Sequence, residues 1–471
     1  MKTTSVSRQI WLAVVVIFTF FPATGHCAEP DESQWRALEE EAVSLLSRYI
    51  QIDTTNPPGN EIKAAQFFKE IFDREGIEAR IIESAPGRGN IYAQLRGNAS
   101  KKSVLLLNHM DVVPADSRSW KEPPFSGGIK DGYVWGRGAL DMKGPAIIEL
   151  MVLLALRRQN PSLKADVIFL GTADEEAGGA MGLGFLFEKH PELFKNVGLV
   201  LNEGGGILLG NDGRVREYNV RLFEKTPLWL RVTASGMPGH GASPGPDLAV
   251  NKLITALNRL VQYRSPIKVL PEVQKFYAET AHLETPARQK QYQDLKTALQ
   301  DPAFAAEFTK EPRNNASVRN TISITGLKGS DKINVIAARA SAEIDVRLLP
   351  GEDPKAFIEE LRKVLADDSI KIEVILSFPP AASPPHHEAM KVITDLAKLD
   401  GDALVVSRLG SGFTDCHFFR ERNISCLGFM PLRRTAGEES RVHGLDERVS
   451  IENLKIGIRM MYDLVRKLVA E

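Results

Sequence analysis

The residues best able to do chemistry stand at the ends of apolar runs. His109 and Asp111 close VLLLNHMD two positions apart, so in a strand their side chains share a face. Asp141 sits in WGRGALDMKG, where Gly136, Gly138 and Gly144 free the backbone around one carboxylate. Glu175 and Glu176 follow the run ADVIFLGT, Glu203 follows GLVLN, and His443 lies in RVHGLDE ahead of the final helical stretch. Nitrogen and oxygen donors without thiolate suit Zn, Co or Mn rather than a structural cysteine site. Carboxylates gathered in one crevice repel unless cations sit among them. Two divalent ions about 3.5–4 Å apart, bridged by one carboxylate, relieve the repulsion and supply a hydrolytic water. A ligating histidine usually gives its second nitrogen to a carboxylate, and Asp111 is placed to take it. Each residue alone is more often solvated surface or a satisfied core group. Their recurrence at successive strand ends is the argument for a site.

Elements able to position these groups alternate from about Ser33 onward. Trp35 to Tyr49 and Glu61 to Glu75 are amphipathic, and Thr54-Thr55-Asn56-Pro57-Pro58-Gly59 between them is turn chemistry. Ala79–Glu83, Asn90–Leu95, Ser103–Asn108, Ala165–Thr172 and Val197–Asn202 are strand-like, and Ala146–Arg158 is an apolar helix. The pattern predicts an α/β fold with a mixed, mostly parallel sheet flanked by helices. In such a sheet ligands collect beyond the carboxyl ends of the strands, so distant loops converge on one crevice.

A second unit begins near Leu228, with strands at Leu228–Ser235, Asn320–Ile324, Ala340–Leu348 and Ile370–Leu376. Helices are expected at Pro246–Tyr263 and Pro354–Ala366. This reads as an inserted α+β lid over 225–377, with a polar, helix-rich insertion at 268–319. The first domain is then split into 33–224 and 378–471, and FPPAASPP marks the return. Glu388–Leu399, Leu404–Val406, Ser425–Phe429 and Ile451–Val469 complete it.

The 471 residues carry 59 Lys and Arg against 60 Asp and Glu, a net of −1, with 8 Tyr and 5 Trp. That balance excludes a nucleic-acid partner, which needs a basic face or a stacking platform. Lys2 and Arg8 precede the apolar run Ile10–Phe21, shorter than the about 20 residues a membrane span needs. Residues 1–28 therefore read as a secretory signal cleaved after Gly25 or Ala28, and the protein as secreted or periplasmic. An uncleaved anchor is the alternative. Of Cys27, Cys416 and Cys426, the last two admit a disulfide in an oxidising compartment and equally a pair of buried thiols.

The segments HMDVVPAD…W…PPFSGGIKDGYVWGRGALDMKG, DEEAGG, NEGGG and RVHGLDE occur in an order that resembles a known family. It is the di-zinc amidohydrolases that include aminoacylase, acetylornithine deacetylase, succinyl-diaminopimelate desuccinylase, glutamate carboxypeptidase and carboxypeptidase S. HMDVVP with PPFSG, EGGG and the long insertion looks most like the carboxypeptidase S branch. The resemblance covers about Gln51 to Val469 and implies a zinc exopeptidase-like fold with a lid that dimerises. It implies two divalent ions, Zn2+ first: His109 and Glu203 on one, Glu176 and His443 on the other, Asp141 bridging. Glu175 would be the general base, and the peptide after Asp141 would be cis. His240, in GMPGHGASP, would reach a neighbouring subunit's site to stabilise the oxyanion. Asn320 resembles the lid asparagine of the same role. Arg347 and the loop Gly410-Ser411-Gly412 resemble elements that hold the substrate carboxylate, and an ordinary ion pair across the lid sheet is the other reading of Arg347. His417 departs from the family's pattern, falling where a substrate-side Arg is usual.

The resulting expectation is hydrolysis of an amide next to a free carboxylate, by an exopeptidase of the carboxypeptidase type acting on small peptides. An aminoacylase acting on N-acyl amino acids is the alternative, and a non-catalytic ligand-binding relative a remote one. A serine hydrolase is not supported, because no G-x-S-x-G elbow occurs.

Overall fold

Apolar strands buried along their whole length organise the larger body. Ser103–His109 and Val167–Thr172 have no exposed residue, as central strands covered on both faces require. They lie inside a six-stranded sheet ordered 78–85, 88–95, 167–172, 103–109, 197–202, 425–428. The last four strands run parallel, and the first two are an antiparallel edge. The computed structural model describes residues 29–210, 212–401 and 403–470, so the leader read from residues 1–28 lies outside the described residues. Helix Lys143–Gln159 is buried from Lys143 through Leu156 and shares one core with Glu32–Ile50, Glu61–Glu75 and the terminal Ile451–Val469. An Asp31–Gln34 capping box starts the first of these helices. Among the described residues no helix is long and apolar enough to cross a membrane.

Of two smaller sheets only the strand Leu404–Val406 was legible beforehand. Strands 404–406, 215–219, 206–209 and 433–434 form one; 448–450, 133–135 and 129–130 form the other. Each of the others is too short to carry a clear alternation.

The lid is a four-stranded antiparallel sheet ordered 321–328, 339–348, 226–235, 371–377. Helices Ala249–Gln262 and Pro354–Leu365 bury Leu253, Leu257, Phe357 and Leu361 in a core of its own. The insertion behaves differently from its place in sequence. Its short helices, from Pro271–Thr280 to Pro312–Val318, bury Val273, Phe276, Leu295, Phe304 and Phe308 in the core of the larger body. Amphipathic periodicity says that a face is buried but not against which neighbour. Cys416 and Cys426 are joined as a disulfide, their Cα atoms 5.4 Å apart.

Candidate metal centre

Three adjacent parallel strands end side by side and deliver His109, the Glu175–Glu176 turn and Glu203 to one edge. Asp141 and His443 enter from loops beside the small sheet that joins 133–135 to 448–450. Asp141 stands between the two histidines: Oδ1 is 3.0 Å from His109 Nε2 and Oδ2 is 3.1 Å from His443 Nε2. Glu203 Oε1 lies 3.7 Å from His109 Nε2, and Glu176 Oε1 lies 3.2 Å from His443 Nε2. Donor atoms of His109, Asp141 and Glu176 fall within 4.8 Å of one another, as do those of His109, Glu175 and Glu203. The Asp141–Met142 peptide is cis.

The donor chemistry fits a divalent cation. His109 Nδ1 is 3.0 Å from the Asp111 carbonyl oxygen, which can only accept, so the ring proton sits there and Nε2 offers its lone pair to the crevice. Here the structure refines the expected role of Asp111, whose carboxylate is farther from that nitrogen at 3.5 Å. That carboxylate instead accepts the backbone N–H groups of Glu175 and Glu176, at 3.1 and 3.2 Å, and so orients the glutamate turn as well as the histidine. Burial pushes the Glu175 carboxyl well above its ordinary range, lifts Glu176, and, helped by Asp141, brings Glu203 up to about 8. Hydrogen bonds to Asp141 and Glu176 raise His443 to about 10. At Asp141 burial works upward, yet the two histidines outweigh it and hold the carboxyl low. Ionising all four carboxylates would put more negative charge into this crevice than two imidazoles offset, which is why the glutamates are pushed up and why bound divalent cations would be favoured.

Glu447 is the residue that sequence reasoning passed over. It is fully buried, and its carboxylate accepts N–H bonds from Gly138, Leu140 and Asp141, at 3.0, 2.7 and 3.1 Å, while pairing with Arg137 at 2.7 Å. Its place in RVHGLDE, four residues after His443, was the available signal.

The crevice opens into a cavity of about 630 Å³, whose wall includes Asp141, Glu175, Glu176, Glu203 and His443. The lid adds Trp229 and Arg347, and the insertion adds Val273, Phe276, Tyr277 and Arg313. Arg347 spends Nε and Nη2 on Asp345, at 2.7 and 3.1 Å, and lies over the rings of Trp229 and Phe413. The ion pair thus lies along one strand rather than across the sheet, and Nη1 is buried with no partner among the described residues. Ser411 and Gly412 line the cavity, whereas Gly410 sits at the lid boundary, its carbonyl accepting Lys225 N–H at 2.8 Å.

Three of the predicted site residues lie away from this chain's own cavity wall. His417 is buried with its ring stacked on Phe378 at 3.7 Å and Nδ1 on Glu421 at 2.7 Å, off the cavity wall. The short helix Cys416–Arg420 turns it against Phe378, Phe418 and Glu421. Asn320 accepts Leu349 N–H at 2.8 Å and does not line the cavity. His240 is exposed in the pairing of Gly239–His240 with Val335–Ile336, also away from the cavity.

Fold and donors together define a metal-dependent hydrolase. The chain belongs to the family described as Peptidase family M20/M25/M40, whose model matches residues 105–467. It is 28% identical over 413 residues to the N-fatty-acyl-amino acid synthase/hydrolase PM20D1 of Xenopus tropicalis, covering 85% of this chain and 78% of that one. Aminoacylase-1 of Sus scrofa is 28% identical over 428 residues, with 88% and 92% covered. The probable carboxypeptidase S-like 2 of Dictyostelium discoideum is 27% identical over 377 residues, with 78% and 72% covered. The di-peptidase Dug1p of Saccharomyces cerevisiae shares the fold, with a TM-score of 0.70, 19% identity, and 92% and 96% covered. The protein is accordingly a metal-dependent amide hydrolase of the peptidase or acylase kind.

Proposed function

We infer that the enzyme hydrolyses the amide of N-acyl amino acids, releasing a carboxylic acid and a free amino acid. The observation that carries this reading is the charge of the cavity. Arg221, Arg313, Arg347, Arg408 and Arg434 all line it. Outside the metal-facing set, Glu439 is the only carboxylate among the described residues of the wall, and it pairs with Arg313. The free ammonium of a dipeptide would enter among guanidinium groups with no available carboxylate, whereas an acyl group carries no charge. Val273, Phe276, Tyr277 and Leu409 offer that group apolar surface. The sequence reading put the exopeptidase first, and the cavity charge reverses the preference. A carboxypeptidase acting on peptides long enough to leave their amine outside is the second reading, favoured by the carboxypeptidase S-like relative.

In the mechanism we propose, His109, Asp141 and Glu203 would hold one cation and Glu176 and His443, with Asp141 beside them, would hold a second; zinc would suit these donors best. The bound ions supply Lewis acidity and a water acidic enough to react near neutral pH. Arg347 Nη1 and the 411–412 loop anchor the substrate carboxylate, which sets the amide against the crevice. Glu175 takes a proton from the attacking water and delivers it to the departing amine. His240 of a second subunit donates to the oxyanion, which would require a homodimer through the lid; its exposure away from its own cavity supports this. A secreted or periplasmic location is part of the reading, supported by the Cys416–Cys426 disulfide.

Purified enzyme, zinc-loaded or chelator-stripped, should be assayed on N-acetyl amino acids, longer acyl amino acids, free dipeptides and N-blocked dipeptides. Chelator-sensitive turnover of acyl amino acids above free dipeptides is expected. Preference for free dipeptides would overturn the assignment.

A further inference from the structure

The turn TTNPPGN, a sequence feature with no part in the chemistry above, meets the site through an arginine. Arg88 begins strand Arg88–Leu95, and its Nη2 is 2.8 Å from Glu61 Oε1 and 2.8 Å from Asp174 Oδ1. Its Nη1 donates to the Pro58 carbonyl at 3.0 Å. The guanidinium passes directly over Gly59, which has φ +82° and where a Cβ would lie 2.5 Å from Arg88 Cζ. Asp174 in turn accepts Met181 N–H at 3.0 Å through Oδ2, and Asn56 Nδ2 at 3.1 Å through Oδ1. The same Asn56 nitrogen donates to Asp111 at 2.8 Å. Asp111 receives the N–H groups of Glu175 and Glu176. A chain of contacts therefore runs from Arg88 to the two residues proposed as base and ligand, along side chains and along the backbone from Asp174 to Glu175.

Glu61, Asp111 and Asp174 are all buried, and Arg88 is the only cation paired with Glu61 or Asp174 among the described residues. Removing it would leave adjacent acids without a counter-charge, and the turn that carries Asp174 would lose its anchor. We propose that Arg88, seated by the Asn56–Gly59 loop, is a positioning residue that sets the aim of the Glu175–Glu176 turn. Gly59 is required because any side chain there displaces the guanidinium. The proposal rests on the assignment of Glu175 and Glu176 above.

The test compares wild type with Arg88→Met, Arg88→Lys and Gly59→Ala, each checked for folding by thermal melting. Zinc affinity is measured by competition with a chromophoric chelator, without substrate. Kinetic constants are then measured on the acyl amino acid that the wild type turns over best. Removing an outer contact of a metal site typically weakens affinity or activity by 10–100-fold. Arg88→Met and Gly59→Ala should bind zinc about tenfold more weakly and lose about tenfold in kcat, with KM within about twofold. Arg88→Lys should recover part of both losses, because it restores the charge but not the forked reach. If Arg88→Met does not fold, Gly59→Ala, which keeps the arginine, carries the test. A folded variant with a lower melting temperature but wild-type zinc affinity and kcat would overturn the proposal. A wild type inactive on every acyl amino acid would overturn the functional reading instead, leaving the zinc comparison to decide this one.

Discussion

Asp141 is held from behind by Glu447: its backbone N–H donates to the Glu447 carboxylate at 3.1 Å while its own two oxygens face His109 and His443. Asp141 is therefore aimed by a residue that does not line the cavity. Glu447→Ala strips three backbone donors of their acceptor and leaves Arg137 buried without its carboxylate. A loss of about 3–5 kcal/mol in denaturant unfolding is expected, together with reduced metal content by elemental analysis. Wild-type stability would exclude this role.

Glu175 has its backbone, but not its carboxylate, tied to Asp111. Glu175→Gln should fold and bind metal like wild type and lose about 10²–10⁴-fold in kcat. Metal content by mass spectrometry and single-turnover kinetics check this. Near-normal turnover would remove Glu175 from proton transfer.

Arg347 lines the cavity, and its buried Nη1 has no hydrogen-bond partner among the described residues. Arg347→Met should cost about 1.5–3 kcal/mol in kcat/KM, the worth of a hydrogen bond between charged groups, mainly through KM. The same substitution should leave hydrolysis of the corresponding amino acid amide, which lacks the carboxylate, nearly unchanged. Equal losses on both substrates would assign Arg347 to the fold alone.

Lys225 lies at the lid boundary with Nζ on the Arg319 carbonyl at 2.6 Å and Thr321 Oγ1 at 3.0 Å. Burial, with Arg347 nearby, lowers its amine to about 7. The unfolded chain keeps an ordinary lysine near ~10.4, so between these values it binds the extra proton. Stability contributed by this group therefore rises with pH from about 7 toward ~10.4 and is flat below both values. The wild type should gain thermal stability relative to Lys225→Met across that window. Parallel curves for the two proteins would contradict it.

Most of the centre could be read from the chain because strand-end position and residue type are both local. His109, Glu175, Glu176 and Glu203 each follow an apolar run, and that rule needed no partner to be known. The supports were hidden for the opposite reason. Glu447 serves a loop 306 residues earlier in the chain, and Arg88 reaches Asp174 across 86. Such pairings depend on topology. His417 lies off the cavity wall because position in a motif does not decide which way a short helix turns its side chain. Strands such as 206–209 and 433–434 were obscure through brevity.

Because the block between Pro271 and Val318 settles on the larger body, the polypeptide passes between the two bodies four times rather than twice. The crossings fall near 225, between 262 and 271, near 319 and near 378. Lys225 bolts the first crossing to the third through Arg319 and Thr321. A domain on two tethers swings freely, but one on four must bend them together about a common axis. Trp229 and Arg347 would then travel as a rigid jaw against the stationary wall of Phe276 and Tyr277, and the gap between them would set the size of molecule the enzyme can grip.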